Sequence, residues 1–216
     1  MMSIKTLGFN LTMGTLNNVH INHLLILILS LFICPLVFAK MHPDESLCGK
    51  YIETVAHETK VPPEVIWAVA RSESNLGQLG PWPWTINIHG KGYYFKSKKE
   101  MLTFIHKKTK KNKYLSIDIG CMQLNTIYHK HKFKNLEEMT DIHKNMLVAA
   151  RYLRELYESN KRERAHKKLP NSRIWGYAVG DYHSQRSLRG AKYITRTSKF
   201  LMTHPAWYDG LFPDID

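Results

Sequence analysis

Acidic residues are missing altogether from the first 39 positions of this chain, where Lys5, His20 and His23 are the only basic groups. With so little charge, Leu24–Phe38 (LLILILSLFICPLVF) is a nearly unbroken apolar run, interrupted by Ser30 and Pro35. It falls short of the ~20 residues of a spanning helix, and Pro35 near its end suits a removable leader better than a permanent anchor. Val37-Phe38-Ala39 supplies compact residues ahead of a cleavage point, followed by Lys40. Residues 1–39 therefore read as an export signal cleaved after Ala39, leaving no stable membrane span, with an uncleaved membrane anchor as the alternative. Leu31-Phe32-Ile33 ahead of Cys34 is too bulky for a lipoprotein box.

Cysteine is scarce. Beyond the leader only Cys48 and Cys121 remain, and they form either one disulfide, favoured by export to an oxidising compartment, or two buried thiols. Metal-ligand patterns are lacking as well. His57-Glu58 has no second histidine at position 61, so a zinc-protease motif fails. His129 and His131 alternate without a third partner at useful spacing. Neither a metal nor a cofactor is expected. Internal repeats and low-complexity tracts are absent, as are nucleic-acid recognition motifs.

Acids are few throughout: 18 against 31 lysines and arginines, a net charge of +13. Removing residues 1–39 takes one lysine and no acid, which leaves 30 against 18 and a net +12. An exported chain of this charge points away from nucleic acid and toward an anionic envelope polymer.

What is present is enough for one domain. The 216 residues are 44% hydrophobic and 11% aromatic, which supports a single real core and not two. Ser46–Thr59 reads as a helix with Ser46 as cap and Tyr51, Ile52, Val55 and Ala56 inward. Pro62 and Pro63 suit the start of a second, along which Ile66, Val69, Ala70 and Glu73 share one face. That face is apolar until its last member, and Asn75 and Gly77 can end the helix just beyond it. A carboxylate held at the rim of a core would have a raised pKa and serve as a general acid; the plainer alternative is a glutamate turned out to water.

Gly80–Phe95 (GPWPWTINIHGKGYYF) alternates around a Gly-Lys-Gly turn and predicts a short hairpin or flap. Its aromatics, Trp82, Trp84 and Tyr94 among them, either stack on sugar faces or fill the core. Ser97–Lys107 predicts a helix with Met101, Leu102 and Ile105 inward, followed by a solvated basic loop, Lys107–Lys113. Asp141–Ser159 is the strongest helix, capped by Asp141, with Ile142, Met146, Ala149, Ala150, Leu153 and Leu156 inward. A charged linker, Lys161–Lys168, leads to a helix at Ile174–Tyr182 and a last one at Ala191–Leu201. The whole predicts a mainly α, single helical domain over 40–216 with a small β-hairpin insertion at about 80–115.

Four signatures stand in order: Glu73-Ser74, Gly120-Cys121-Met122-Gln123, Asn145 ahead of Tyr152-Leu153, and Ala178-Val179-Gly180-Asp181-Tyr182. Together they resemble the lytic transglycosylases of the soluble, lysozyme-like type, which share the goose-type lysozyme fold. The Trp-Pro-Trp-Thr and Asp-x-Gly-Cys-Met-Gln elements are similar to those of an exported bacterial subgroup. The resemblance covers roughly Cys48 to Leu201. It implies a monomeric periplasmic enzyme, or one anchored in the inner membrane and facing the periplasm. Its substrate would be peptidoglycan glycan strands, cut without water in the service of cell-wall remodelling or of a secretion, conjugation or flagellar complex.

Carried over by position, the resemblance makes Glu73 the catalytic acid and base, and Ser74 an aid in orienting the reacting end or the glutamate's backbone. Met122 and Gln123 would line the floor, with Gln123 bonding an acetamido group, and Asn145 would help bind or orient the substrate. Tyr182 would hydrogen-bond the Glu73 carboxyl. No second acid stands at an obviously paired position; Asp118 is expected to order a turn and Asp181 to be solvated or salt-bridged. Three departures stand out. Glu73 and Gln123 lie 50 positions apart, Cys121 replaces the family's leucine, and Tyr182 is followed by His183-Ser184-Gln185 where the family has Asn-Ala-Gly.

Overall fold

Two prolines and an apolar face set the centre of the fold. The computed structural model describes residues 46–184 and 187–202; the expected leader and the aromatic tail from His204 lie outside them. A short 3-10 turn, Gly49–Tyr51, leads into α1 (Ile52–Thr59), and Ser46 Oγ accepts from the Gly49 N–H at 2.8 Å, as its capping role predicts. Lys60, in the left-handed region, ends α1. Pro62 and Pro63 then start α2 (Pro63–Ser74). Val65 through Ala70 are all buried, so α2 is covered on more than its predicted face. A helix apolar on most sides belongs inside a fold.

The predicted hairpin forms as β1 (Thr85–Ile88) and β2 (Lys91–Tyr94), with Thr85 opposite Tyr94 and Ile88 opposite Lys91. His89 and Gly90 both have positive φ at the turn, the geometry a two-residue hairpin favours. The hairpin is no isolated flap. Two further strands, β3 (Asp118–Ile119) and β4 (Leu124–Asn125), complete an antiparallel sheet of order β2-β1-β3-β4. Ile86 pairs with Ile119 and Asn87 with Asp118, which welds the hairpin to the Gly120 turn.

Between them runs α3 (Lys98–Lys111), capped by Ser97, whose Oγ accepts from the Glu100 N–H at 3.2 Å. Met101 and Ile105 anchor it to the core. The lysines expected in a loop are helical as far as Lys111. Lysine is a good helix former, and Lys108, Lys110 and Lys111 complement the negative end of the helix dipole.

Short helices α4 (Thr126–His129) and α5 (Leu136–Met139) precede α6 (Ile142–Glu163), capped by Asp141 Oδ1 on the Lys144 N–H at 2.9 Å. α6 continues through the first residues of the expected linker, whose charged side chains solvate a helix as well as a loop. Tyr51, expected inward, is 36% exposed and leans on the His143 ring. Then come α7 (Asn171–His183) and α8 (Ser187–Met202).

α2 packs against α1 and α8, α6 against α1 and α7, and α8 against α7. The buried apolar side chains of these helices and the sheet make one core. The architecture is mainly α with a small antiparallel sheet, as predicted. Cys48 and Cys121 are joined by a disulfide. Among the described residues no helix is long and apolar enough to cross a membrane.

Candidate active site

Glu73 is the second-last residue of α2, and the backbone turns away at Asn75, which is extended. The loop beyond folds back on the helix end: the Trp82 N–H donates to Ser74 O at 2.9 Å and the Leu76 N–H to Gly80 O at 2.8 Å. Arg71 fastens the same loop through Asn75 Oδ1 and Gly77 O. Ser74 is completely buried, its hydroxyl shared between Ala70 O at 3.1 Å and Cys121 O at 2.8 Å. It therefore ties the end of α2 to the Gly120 turn. Of its two expected roles, only that of fixing the glutamate's backbone fits such burial.

Asn145, expected to meet substrate, is only 1% exposed and instead holds the turn. Asn145 Nδ2 donates to Ile119 O at 2.9 Å and Met139 O at 3.2 Å, and its Oδ1 accepts from the Met122 N–H at 3.1 Å. Gly120 has φ of 83°, and a Cβ there would lie 2.8 Å from Asn145 Cγ. Only glycine allows both the turn and the close approach. Met122 is fully buried, so its side chain is core and not cleft floor. Gln123, itself at φ 47°, donates from Nε2 to Gly120 O at 2.9 Å and to Thr85 O at 3.4 Å. Both amide hydrogens serve the backbone, which leaves the side-chain oxygen as its remaining polar atom.

Tyr182 departs from expectation. Its hydroxyl donates to Met122 O at 2.7 Å and makes no bond to Glu73, so it braces the turn. It stays within electrostatic range of the acid, and burial together with the Glu73 charge pushes its own pKa well up.

The hydroxyl that faces Glu73 belongs to Tyr193 on α8. Tyr193 is 2% exposed and lowers the Glu73 pKa as a hydrogen-bonding partner would. The pair nonetheless falls outside ordinary hydrogen-bond geometry, and both Glu73 Oε1 and Tyr193 OH are buried without a partner among the described residues. Arg196, also on α8, brings Nη2 to 3.9 Å from Glu73 Oε1. Its guanidinium lies 4.9 Å from the centre of the Tyr193 ring, on which the His183 ring also stacks at 4.6 Å.

Desolvation dominates the electrostatics. The Glu73 side chain is 15% exposed, but its Oε1 is shut off from solvent. Burial raises its pKa from 4.5 to about 7, against the lowering effect of Tyr193 and Arg196 and with a smaller push upward from Asp118. Asp118 was expected only to order a turn. It does accept from Asn125 Nδ2 at 2.7 Å across the β3–β4 pair, but its charge also acts on Glu73, Tyr182 and His183. Its own pKa is raised by burial, and that of His183 is lowered by burial and by Arg196 and Arg189. Asp181, expected to be solvated or salt-bridged, instead accepts from Asn160 Nδ2 at 2.7 Å.

Trp82 and Trp84 meet edge to face at 5.2 Å and are half-buried, with Trp82 Nε1 donating to Phe95 O at 2.9 Å. Tyr94 is 50% exposed, the most open of the three stacking candidates. Among the described residues no group of His, Cys, Asp and Glu is arranged to hold a metal.

The arrangement offers one carboxyl whose pKa is raised to about 7, partly reachable, and flanked by a phenol and a guanidinium. Such a group can give a proton and take one back. Sequence reasoning missed Tyr193 and Arg196. The available signal was a tyrosine within a buried stripe, whose hydroxyl needs a partner, with an arginine three residues on along the same helical side. Comparison with protein-family models, curated proteins and solved structures finds no match.

Proposed function

We propose that this protein is a peptidoglycan lytic transglycosylase, cleaving the β-1,4 bond between N-acetylmuramic acid and N-acetylglucosamine without water. The observation that carries the reading is Glu73, a carboxyl held neutral to about pH 7 by burial at the rim of the core. In the first step Glu73 protonates the glycosidic oxygen as its bond to C1 breaks, with the substrate's N-acetyl group stabilising C1. The resulting Glu73 carboxylate then accepts the proton of the muramyl C6 hydroxyl as that oxygen closes on C1, giving a 1,6-anhydro end. One group serves as acid and then base, and a pKa near the working pH suits both. Arg196 and Tyr193 stabilise the carboxylate between the two steps. Ser74, Gly120, Asn145 and Tyr182 keep the Gly120 turn and the end of α2 in register. The disulfide supports export to an oxidising periplasm.

Asp118 favours a second reading, a hydrolytic muramidase on the same framework. Its carboxyl acts on the Glu73 pKa, and a second acid near the first could position water. Mass spectrometry of digested peptidoglycan decides: anhydro-muramyl ends support the transglycosylase, and their absence from active digests sinks it. Asp118→Asn should retain cleavage in a transglycosylase and abolish it in a hydrolase. A Glu73→Gln protein with undiminished wall cleavage would instead support a wall-binding assembly component whose preparation carries another enzyme.

A further inference from the structure

The charge of this molecule is concentrated in one segment. Residues 91–134 hold 12 lysines, no arginine and two acids, Glu100 and Asp118, a net +10 of the chain's +13. Neither acid offsets the lysines. Glu100 Oε2 accepts from the Lys96 N–H at 3.0 Å in the cap of α3, and Asp118 is engaged at the candidate site. The last turns of α3 present Lys107, Lys108, Lys110 and Lys111 to solvent, and Lys113 follows. Among the described residues none of these five forms an ion pair.

A second observation falls in the same segment. Of the seven large apolar or aromatic side chains exposed among the described residues, four are here: Tyr94 at 50%, Tyr114 at 74%, Ile127 at 53% and Tyr128 at 72%. Backbone bonding connects the segments that carry three of them. The Thr126 hydroxyl donates to Leu115 O at 3.3 Å and the Thr126 N–H to Ile117 O at 2.8 Å, which ties the backbone just after Tyr114 to the residue just before Ile127 and Tyr128. Lys113 joins the lysines to this group, its Nζ 5.0 Å from the centre of the Tyr114 ring.

We propose that this surface seats the protein on an anionic lipid bilayer. Lysine ammoniums are compact point charges that respond to a diffuse negative surface, each contributing about fivefold to affinity near anionic lipid. Recognition of individual phosphates in nucleic acid would favour arginine forks, and the segment has none. Exposed tyrosines and an isoleucine beside the lysines match the headgroup level of a membrane, where amphipathic rings sit half in and half out of water. A soluble polyanion would account for the lysines but not for the apolar side chains beside them. The assignment stands apart from the proposed chemistry and holds whether or not Glu73 is catalytic.

The apolar run at 24–38 would hold the full chain to vesicles of any composition, so the test is local. Lysine acylation rates are measured by mass spectrometry on the full chain with phosphatidylcholine vesicles, with and without phosphatidylglycerol. Labelling of Lys107, Lys108, Lys110, Lys111 and Lys113 should slow severalfold on the anionic vesicles alone, and recover at about 0.5 M salt. Lys167 and Lys168, exposed elsewhere, should not change. Equal rates on both vesicles overturn the proposal, and so does equal protection by soluble polyphosphate, which would assign the surface to a polyanion. A Tyr114→Ser, Ile127→Ser, Tyr128→Ser variant should keep its melting temperature and lose most of the protection. Full protection in that variant also overturns the assignment, because a polyanion needs no inserted side chains.

Discussion

Asn145 and Glu73 are both polar side chains set into the core, and the fold treats them in opposite ways. Asn145 is 1% exposed, and three backbone groups from two segments converge on its amide. Glu73 keeps a buried oxygen that, among the described residues, accepts no hydrogen bond and has only the Arg196 guanidinium at 3.9 Å. The two are linked: Asn145 holds the Gly120 turn, and the turn holds Ser74, the residue after the acid. A fully paired polar group is a fastener. One left short of hydrogen bonds stores free energy that chemistry can draw on. The molecule uses the first kind to keep the second in place.

The contrast breaks most completely at Glu73. Glu73→Gln should lower wall cleavage about a thousandfold, measured as release of muropeptides. The same change should stabilise the fold above neutral pH. The folded-state pKa of about 7 lies above the unfolded value of 4.5, so folding retains a proton that the unfolded chain gives up. The favourable linkage is complete below pH 4.5 and is lost as pH rises to about 7, a difference on the order of 3 kcal/mol. Urea melts of the wild type should therefore weaken across that window, and those of Glu73→Gln should show that decline removed.

Damage to the fastener should look different. Asn145→Ala leaves the Met122 N–H and the carbonyls of Ile119 and Met139 without their partner, at a cost of about 4 kcal/mol. Stability should fall at every pH, with no change in the slope against pH that marks Glu73. Gly120→Ala tests the same turn more gently. Strain at φ 83° and the approach of its Cβ to Asn145 should cost about 2 kcal/mol, and pairing it with Asn145→Ala should cost less than the sum.

The smallest effects sharpen the Glu73 side. Tyr193→Phe and Arg196→Gln each remove an influence that lowers the acid's pKa, so the alkaline limb of the activity profile should move to higher pH. Asp118→Asn removes one that raises it and should move the limb lower. A shift in the same direction for all three would mean that the limb belongs to another group.

The sequence made some of this legible and hid the rest for identifiable reasons. Pro63, the apolar positions of α2 and Asp141 with the stripe behind it are local signals, and α2 and α6 form where those signals predict. β3 and β4 are two residues each, too short for any alternation to register. The end of α3 was hidden because lysines look the same in a solvated loop and on a solvated helix. Ser74, Asn145 and Tyr182 stand within the motifs, but a hydroxyl or amide bonded to backbone has the same residue type as one reaching a ligand. Tyr193 and Arg196 were hidden by distance along the chain, since only the packing of α8 on α2 brings them to Glu73.

The disulfide has one more consequence, which is topological. Cys48 and Cys121 are 73 positions apart, and the covalent ring they close contains Glu73, the hairpin and the whole of α3. A protease that nicks the lysines at 107–113 would open the ring and release nothing, because the upstream piece stays tethered through Cys48 and the downstream piece through Cys121. On a gel the nicked protein should run as one chain until it is reduced, and then as two.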